Sequence, residues 1–166
     1  VADHNGDGIH DLRDLEALSE RVHRIEDTDG DGFADTSMVF AEQLDELIGG
    51  VAGGVLYHEG EIFVSPVPEL VRFRDGDGDG KADERKGIVR GFGVHIAYAG
   101  HDMHGLAIGP DGRLYWSIGD KGASVSTPHG DYHFPNQGAL FRCELDGTGF
   151  EVYARGLRNV QEAEFD

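Results

Sequence analysis

Apolar positions run through this chain in short bursts, and nearly every burst ends at glycine, aspartate or a Pro-Asp-Gly turn. Bursts of that length bounded by turn residues predict β-strands. The clearest lie at 37–41, 54–57, 61–65, 87–91, 105–108, 113–118, 140–144 and 150–154. Pro110-Asp111-Gly112 joins two of them as a tight turn. Only residues 14–22 carry helical spacing, and that stretch is short.

The strands repeat. Arg24-Ile25-Glu26-Asp27-Thr28-Asp29-Gly30-Asp31-Gly32-Phe33-Ala34-Asp35 matches Arg72-Phe73-Arg74-Asp75-Gly76-Asp77-Gly78-Asp79-Gly80-Lys81-Ala82-Asp83, and Asp27 and Asp75 stand 75 − 27 = 48 residues apart. In each copy a strand leads in, an acidic loop reverses the chain, and a strand leads out. A third copy, 140–154, keeps the hairpin around Asp146-Gly147 and has lost the acidic ladder. A period of ~40–50 residues is that of a propeller blade. The expected fold is therefore all-β: a partial β-propeller, roughly three blades of a six-bladed ring, with EF-hand-like loops between strands. A β-sandwich with two similar hairpins is the alternative. Residues 1–19 are expected to form an N-terminal loop segment with a short helix, and residues 20–166 the partial propeller.

Charge sharpens this picture. Asp and Glu number 32 against 14 Lys and Arg, giving a formal net charge of −18, which excludes a nucleic-acid backbone as partner and disfavours anionic lipid. Twenty-six glycines serve as turn residues. Cys143 stands alone, so this stretch makes no internal disulfide and no CxxCH haem attachment, and it is expected to pack as a small strand residue. The chain opens on Val1 and closes on Glu164-Phe165-Asp166 without a start or tail signal, and we expect a segment of a longer polypeptide.

Three loops carry the chemistry: Asp3-His4-Asn5-Gly6-Asp7-Gly8-Ile9-His10-Asp11, Asp27 to Asp35, and Asp75 to Asp83. Each places side-chain oxygens at positions 1, 3, 5 and 9, with glycine at 6. The expected calcium ligands are Asp3, Asn5, Asp7, Asp11, Asp27, Asp29, Asp31, Asp35, Asp75, Asp77, Asp79 and Asp83. Calcium takes six to eight oxygens at about 2.3–2.6 Å, and alternate residues of a tight loop present them from one side. An EF-hand would place Glu at position 12, where these loops hold Asp14, Met38 and Lys86. Only the first can close in EF-hand fashion, through Asp14. Loops so open should bind calcium at ~10⁻⁴–10⁻³ M, a range suited to an extracytoplasmic compartment. Read as plain polar turns, the same loops would crowd carboxylates with no cation between them, which is costly.

Glu20-Arg21-Val22-His23-Arg24-Ile25-Glu26-Asp27-Thr28-Asp29-Gly30-Asp31-Gly32 resembles the opening of a family of large exported bacterial propeller proteins labelled membrane-bound dehydrogenases, often fused to a c-type haem domain. The resemblance continues through Gly91-Phe92-Gly93-Val94-His95, Gly100-His101-Asp102-Met103-His104-Gly105-Leu106, Gly109 to Tyr115, Ser117 to Asp120 and Gly156-Leu157-Arg158-Asn159. Residues 101–166 are also similar to the soluble quinoprotein glucose/sorbosone dehydrogenases, six-bladed propellers that use PQQ and calcium. That similarity implies His101 as catalytic base, Asp120 as its supporting acid, and Arg158, Asn159 and Gln161 as cofactor contacts. Val160 stands where the family has Pro, and Met103-His104 where it has small residues. The implied activity is oxidation of a sugar or other alcohol, with a c-type cytochrome domain as acceptor.

The residues allow that chemistry without the resemblance. A histidine near its ordinary pKa can take a hydroxyl proton, and Asp120 or Asp102 could fix its tautomer. Arg158 could hold an anionic quinone or carboxylate in bidentate fashion. Other readings stay open: His95, His101 and His104 bonded to neighbouring carbonyls or holding a transition metal, Arg158 paired with Glu162 or Glu164, a non-catalytic propeller that binds glycans or proteins, or a lactonase-type hydrolase. Phe63, Phe92, Tyr115 and Phe141 are expected in the core, and His129 and His133 in a surface loop spanning 127–135.

Overall fold

A computed structural model describes residues 6–11, 13, 20–42, 44, 51–94 and 100–165. Among the described residues the regular elements are twelve strands: β1 Val22–Glu26, β2 Thr36–Ala41, β3 Val55–His58, β4 Glu61–Val64, β5 Glu69–Arg74, β6 Glu84–Arg90, β7 Met103–Ile108, β8 Leu114–Ile118, β9 Ala123–Thr127, β10 Gly130–Phe134, β11 Gly138–Cys143 and β12 Glu151–Leu157. All named pairings are antiparallel. The chain is all-β. Val22, placed by the sequence at the end of a helical stretch, opens β1, while 14–19 lie outside the described residues.

The strands form two four-stranded sheets, ordered β3-β4-β5-β6 and β12-β11-β8-β7, and two hairpins, β1-β2 and β9-β10. Each repeat of the sequence is one hairpin: β1-β2, β5-β6 and β11-β12. The β9-β10 hairpin is a departure from expectation, because residues 127–135 read as a loop. Pro128-His129 makes the turn, and Ala123, Val125 and Phe134 are buried by strand alternation on either side of it.

Alternation explains how the sheets stack. In β4 and β5, neighbouring residues point to opposite faces. Val64, Val71 and Phe73 face one way and bury against Phe40 and Ala41 of β2 and Leu44 just beyond it. Phe63 and Leu70 face the other way and join Phe92, Trp116 and Phe141 in the larger core. The middle strands β4 and β5 are thus covered on both faces, whereas Val55 and Tyr57 of β3 and most of β6 stay exposed. Phe92 lies between layers, edge-on to Trp116 at 5.8 Å and to Phe141 at 5.2 Å. Phe63, Phe92, Tyr115 and Phe141 are all buried, as their strand positions require. Cys143 packs in this core as a small apolar residue.

The leading strands of the two large sheets lie side by side. Ser65 donates to the Met103 carbonyl at 3.3 Å, and a side chain on Gly53 would strike that same carbonyl.

Candidate functional site

The two complete acidic loops are built alike and differ only in the bonds of their ninth residue. Asp27 accepts from the Gly30 amide at 2.7 Å and the Gly32 amide at 2.8 Å; Asp75 accepts from Gly78 at 2.7 Å and Gly80 at 2.9 Å. Asp29 accepts from the Asp31 amide, and Asp77 from Asp79, both at 3.1 Å. Asp31 accepts from Phe33, and Asp79 from Lys81, both at 2.8 Å. At the ninth position, Asp35 takes the Thr28 amide and hydroxyl, and Asp83 takes the amides of Gly76 and Asp77. The glycines at positions four and six have left-handed φ in both: 78° and 91° in one, 81° and 89° in the other. No residue but glycine adopts that backbone freely, so the ladder of carboxylate–amide bonds depends on them.

Asp27, Asp29 and Asp35 each offer an oxygen within 4.8 Å of the others, and so do Asp75, Asp77 and Asp83. Oxygens bound to calcium at about 2.4 Å can stand up to roughly twice that distance apart, so each triad fits one ion. Asp31 and Asp79 lie outside these triads. Amides of Gly32 and Gly30 hold the Asp27 carboxyl below the usual range, and Thr28 does the same for Asp35. Both carboxylates are therefore ionised at neutral pH. In the first loop, Gly6 and Gly8 share the left-handed φ and Asp7 accepts from Ile9 at 2.8 Å. Asp11 there accepts from the Arg13 amide at 2.8 Å. Asp3, Asn5 and Asp14 lie outside the described residues.

A second cluster forms at one end of the sheet β12-β11-β8-β7. Antiparallel order brings together the start of β7, the end of β8 and the end of β12. His101 and Asp102 precede β7, Gly119 to Lys121 follow β8, and Arg158 and Asn159 follow β12. His101 is buried, and its Nδ1 stands 2.5 Å from Asp120 Oδ1. A carboxylate only accepts, so Nδ1 carries a proton and donates this bond. The Asp120 carboxyl is held below its ordinary value, first by this bond and further by the charges of His101 and Arg158. Asn159 donates to the Gly100 carbonyl at 3.0 Å, and its Oδ1 is buried without a partner. Gly119 sits among them: a Cβ there would fall 2.8 Å from Asn159 Oδ1 and 2.9 Å from His101.

His101, Asp120 and Asn159 thus converge, and the charge of Arg158, which follows β12 at the same end of the sheet, acts on Asp120. Gln161 is exposed, and its carbonyl packs on Gly105. His104 Nε2 donates to Gly100 at 2.9 Å, the ordinary carbonyl bond. His95 lies outside the described residues. His129 and His133 are exposed, with His133 beside Ser124 at 3.2 Å. Asp102, the rival orienter of His101, pairs with Lys121 at 2.5 Å. Sequence reasoning missed that ion pair, although His101-Asp102 and Asp120-Lys121 are dipeptides of complementary charge.

The family model described as a domain of unknown function, DUF7133, matches residues 2–166. The chain belongs to this family. No curated protein and no solved structure matches it.

Proposed function

We propose that this chain is a calcium-stabilised β-propeller segment of a quinoprotein-type dehydrogenase acting on a sugar or other alcohol outside the cytoplasm. The observation that carries the reading is the convergence of His101, Asp120 and Asn159 around Gly119, with the charge of Arg158 acting on Asp120. The fold supports it: two four-stranded antiparallel sheets and a hairpin stack face to face, as blades of a ring do.

His101 acts as the base. With Nδ1–H held by Asp120, Nε2 takes the proton of the substrate hydroxyl, and Asp120 stabilises the imidazolium that results. The hydroxyl-bearing carbon gives up hydride and becomes a carbonyl. The residues present fit an anionic quinone. Arg158 is exposed, its charge acts on Asp120, and it would bind a carboxylate, while the orphaned Asn159 Oδ1 would accept from a donor. Such a group, PQQ in the quinoprotein glucose/sorbosone dehydrogenases that residues 101–166 resemble, would supply the hydride acceptor, and a c-type cytochrome domain the onward electron path. The calcium loops, at hairpin turns away from this cluster, serve stability.

Absorbance titration of the full-length polypeptide with PQQ tests the cofactor reading. Saturable binding that weakens at least tenfold in Arg158→Ala supports it. Binding that is absent, or indifferent to Arg158, leaves a non-catalytic propeller presenting a face to glycans or proteins.

A further inference from the structure

We propose that the Asp102–Lys121 ion pair is a positioning device that fixes the orientation and tautomer of His101; this rests on the reading of His101 as the base. The two arms that meet at the site are backbone-permissive. His101-Asp102 follows Gly100, whose φ is 87°, and Asp120-Lys121 lies between Gly119 and Gly122, whose φ is 68°. Glycine imposes little steric restraint, so the arms must be fixed by their bonds. Two run in parallel between consecutive residues: His101 to Asp120, and Asp102 to Lys121, each at 2.5 Å.

These bonds differ in strength of anchorage. The Asp120 side chain is 35% exposed, so water screens its hold on the imidazole. The side chains of Asp102 and Lys121 are 2% and 13% exposed, so their attraction is little screened, and separating them would strand a buried charge. The Lys121 carbonyl accepts from Val94 at 3.0 Å and Gly122 from Gly93 at 2.8 Å, which ties this turn to the segment beyond β6. Asp102 is thereby locked to a fixed frame, and His101, one residue before it, is held where Nδ1 meets Asp120. Lys121 takes no part in the proton transfer itself; it acts through Asp102.

The test uses the full chain labelled with ¹⁵N in its histidine imidazoles. In the wild type, at a pH where the ring is neutral, His101 should carry its proton on Nδ1 and none on Nε2. In Lys121→Met the signal should shift to a mixture of tautomers, and Lys121→Arg should restore it. The double variant Asp102→Asn/Lys121→Met removes both charges, so its melting temperature should recover relative to Lys121→Met while the tautomers stay mixed. A purely structural pair would give a different result. Recovery of stability and tautomer together in the double variant, or an unchanged His101 signal in folded Lys121→Met, overturns the proposal. Turnover separates the two readings: a shifted tautomer with wild-type turnover contradicts the base assignment and leaves the positioning role standing.

Discussion

Ile25 and Phe73 occupy the same place in the internal repeat, yet Ile25 is 62% exposed and Phe73 only 3%. The difference lies in their neighbours. Phe73 sits in β5, paired on both sides by β4 and β6, with Phe40 and Ala41 packed over it. Ile25 sits in β1, which among the described residues pairs only with β2. Equal positions in a repeat therefore carry unequal energies. Phe73→Ala should cost about 3–5 kcal/mol, the cavity-forming range, and Ile25→Ala within about 0.5 kcal/mol. Urea unfolding of the two variants checks this; equal losses would mean the two hairpins are packed alike.

Calcium should stabilise the chain through the two complete loops. At a concentration ten times the dissociation constant, linkage gives about 1.4 kcal/mol per loop. EDTA should lower the melting temperature and calcium restore it, with most of the response gone in a chain carrying Asp27→Asn and Asp75→Asn. Titration calorimetry showing no heat up to millimolar calcium would refute the loop reading.

Most of this architecture is legible in the sequence. The carboxylate register of Asp27 to Asp35 and Asp75 to Asp83 is visible because a tight loop uses alternate residues, a local property. The hairpins follow from the strands on either side. The β9-β10 hairpin is obscured because Pro128 and Gly130 read as loop, although Ser124-Val125-Ser126 alternates. The Asp102–Lys121 pair is hidden for another reason. Its partners are 121 − 102 = 19 residues apart, and only the order β8-β7 in the sheet sets their arms side by side. Long-range pairing of that kind depends on topology, which no local pattern encodes.

Stability should also depend on Asp120 at acid pH. His101 and Arg158 depress its carboxyl in the folded chain, so it binds a proton less readily there than when unfolded. Its contribution is fully present above the unfolded value of about 3.9 and is lost as pH falls through the lower folded value. The melting temperatures of wild type and Asp120→Asn should differ most above pH ~4 and converge below it. A gap that widens toward acid would contradict the bond to His101.

Cys143 should be inert. Burial in the core pushes its thiol up to about 12, so almost no thiolate exists at neutral pH. Iodoacetamide should label it only as fast as the chain unfolds, and labelling in folded protein at the rate of a free thiol would show that β11 opens.

The base is the heart of the account. The full-length polypeptide, supplied with PQQ and calcium and assayed with a dye acceptor over several aldoses, should lose about 10²–10⁴-fold in turnover on His101→Ala, the range for a general base. The melting temperature should stay within a few degrees of wild type. Wild-type turnover in a folded His101→Ala protein would contradict the site.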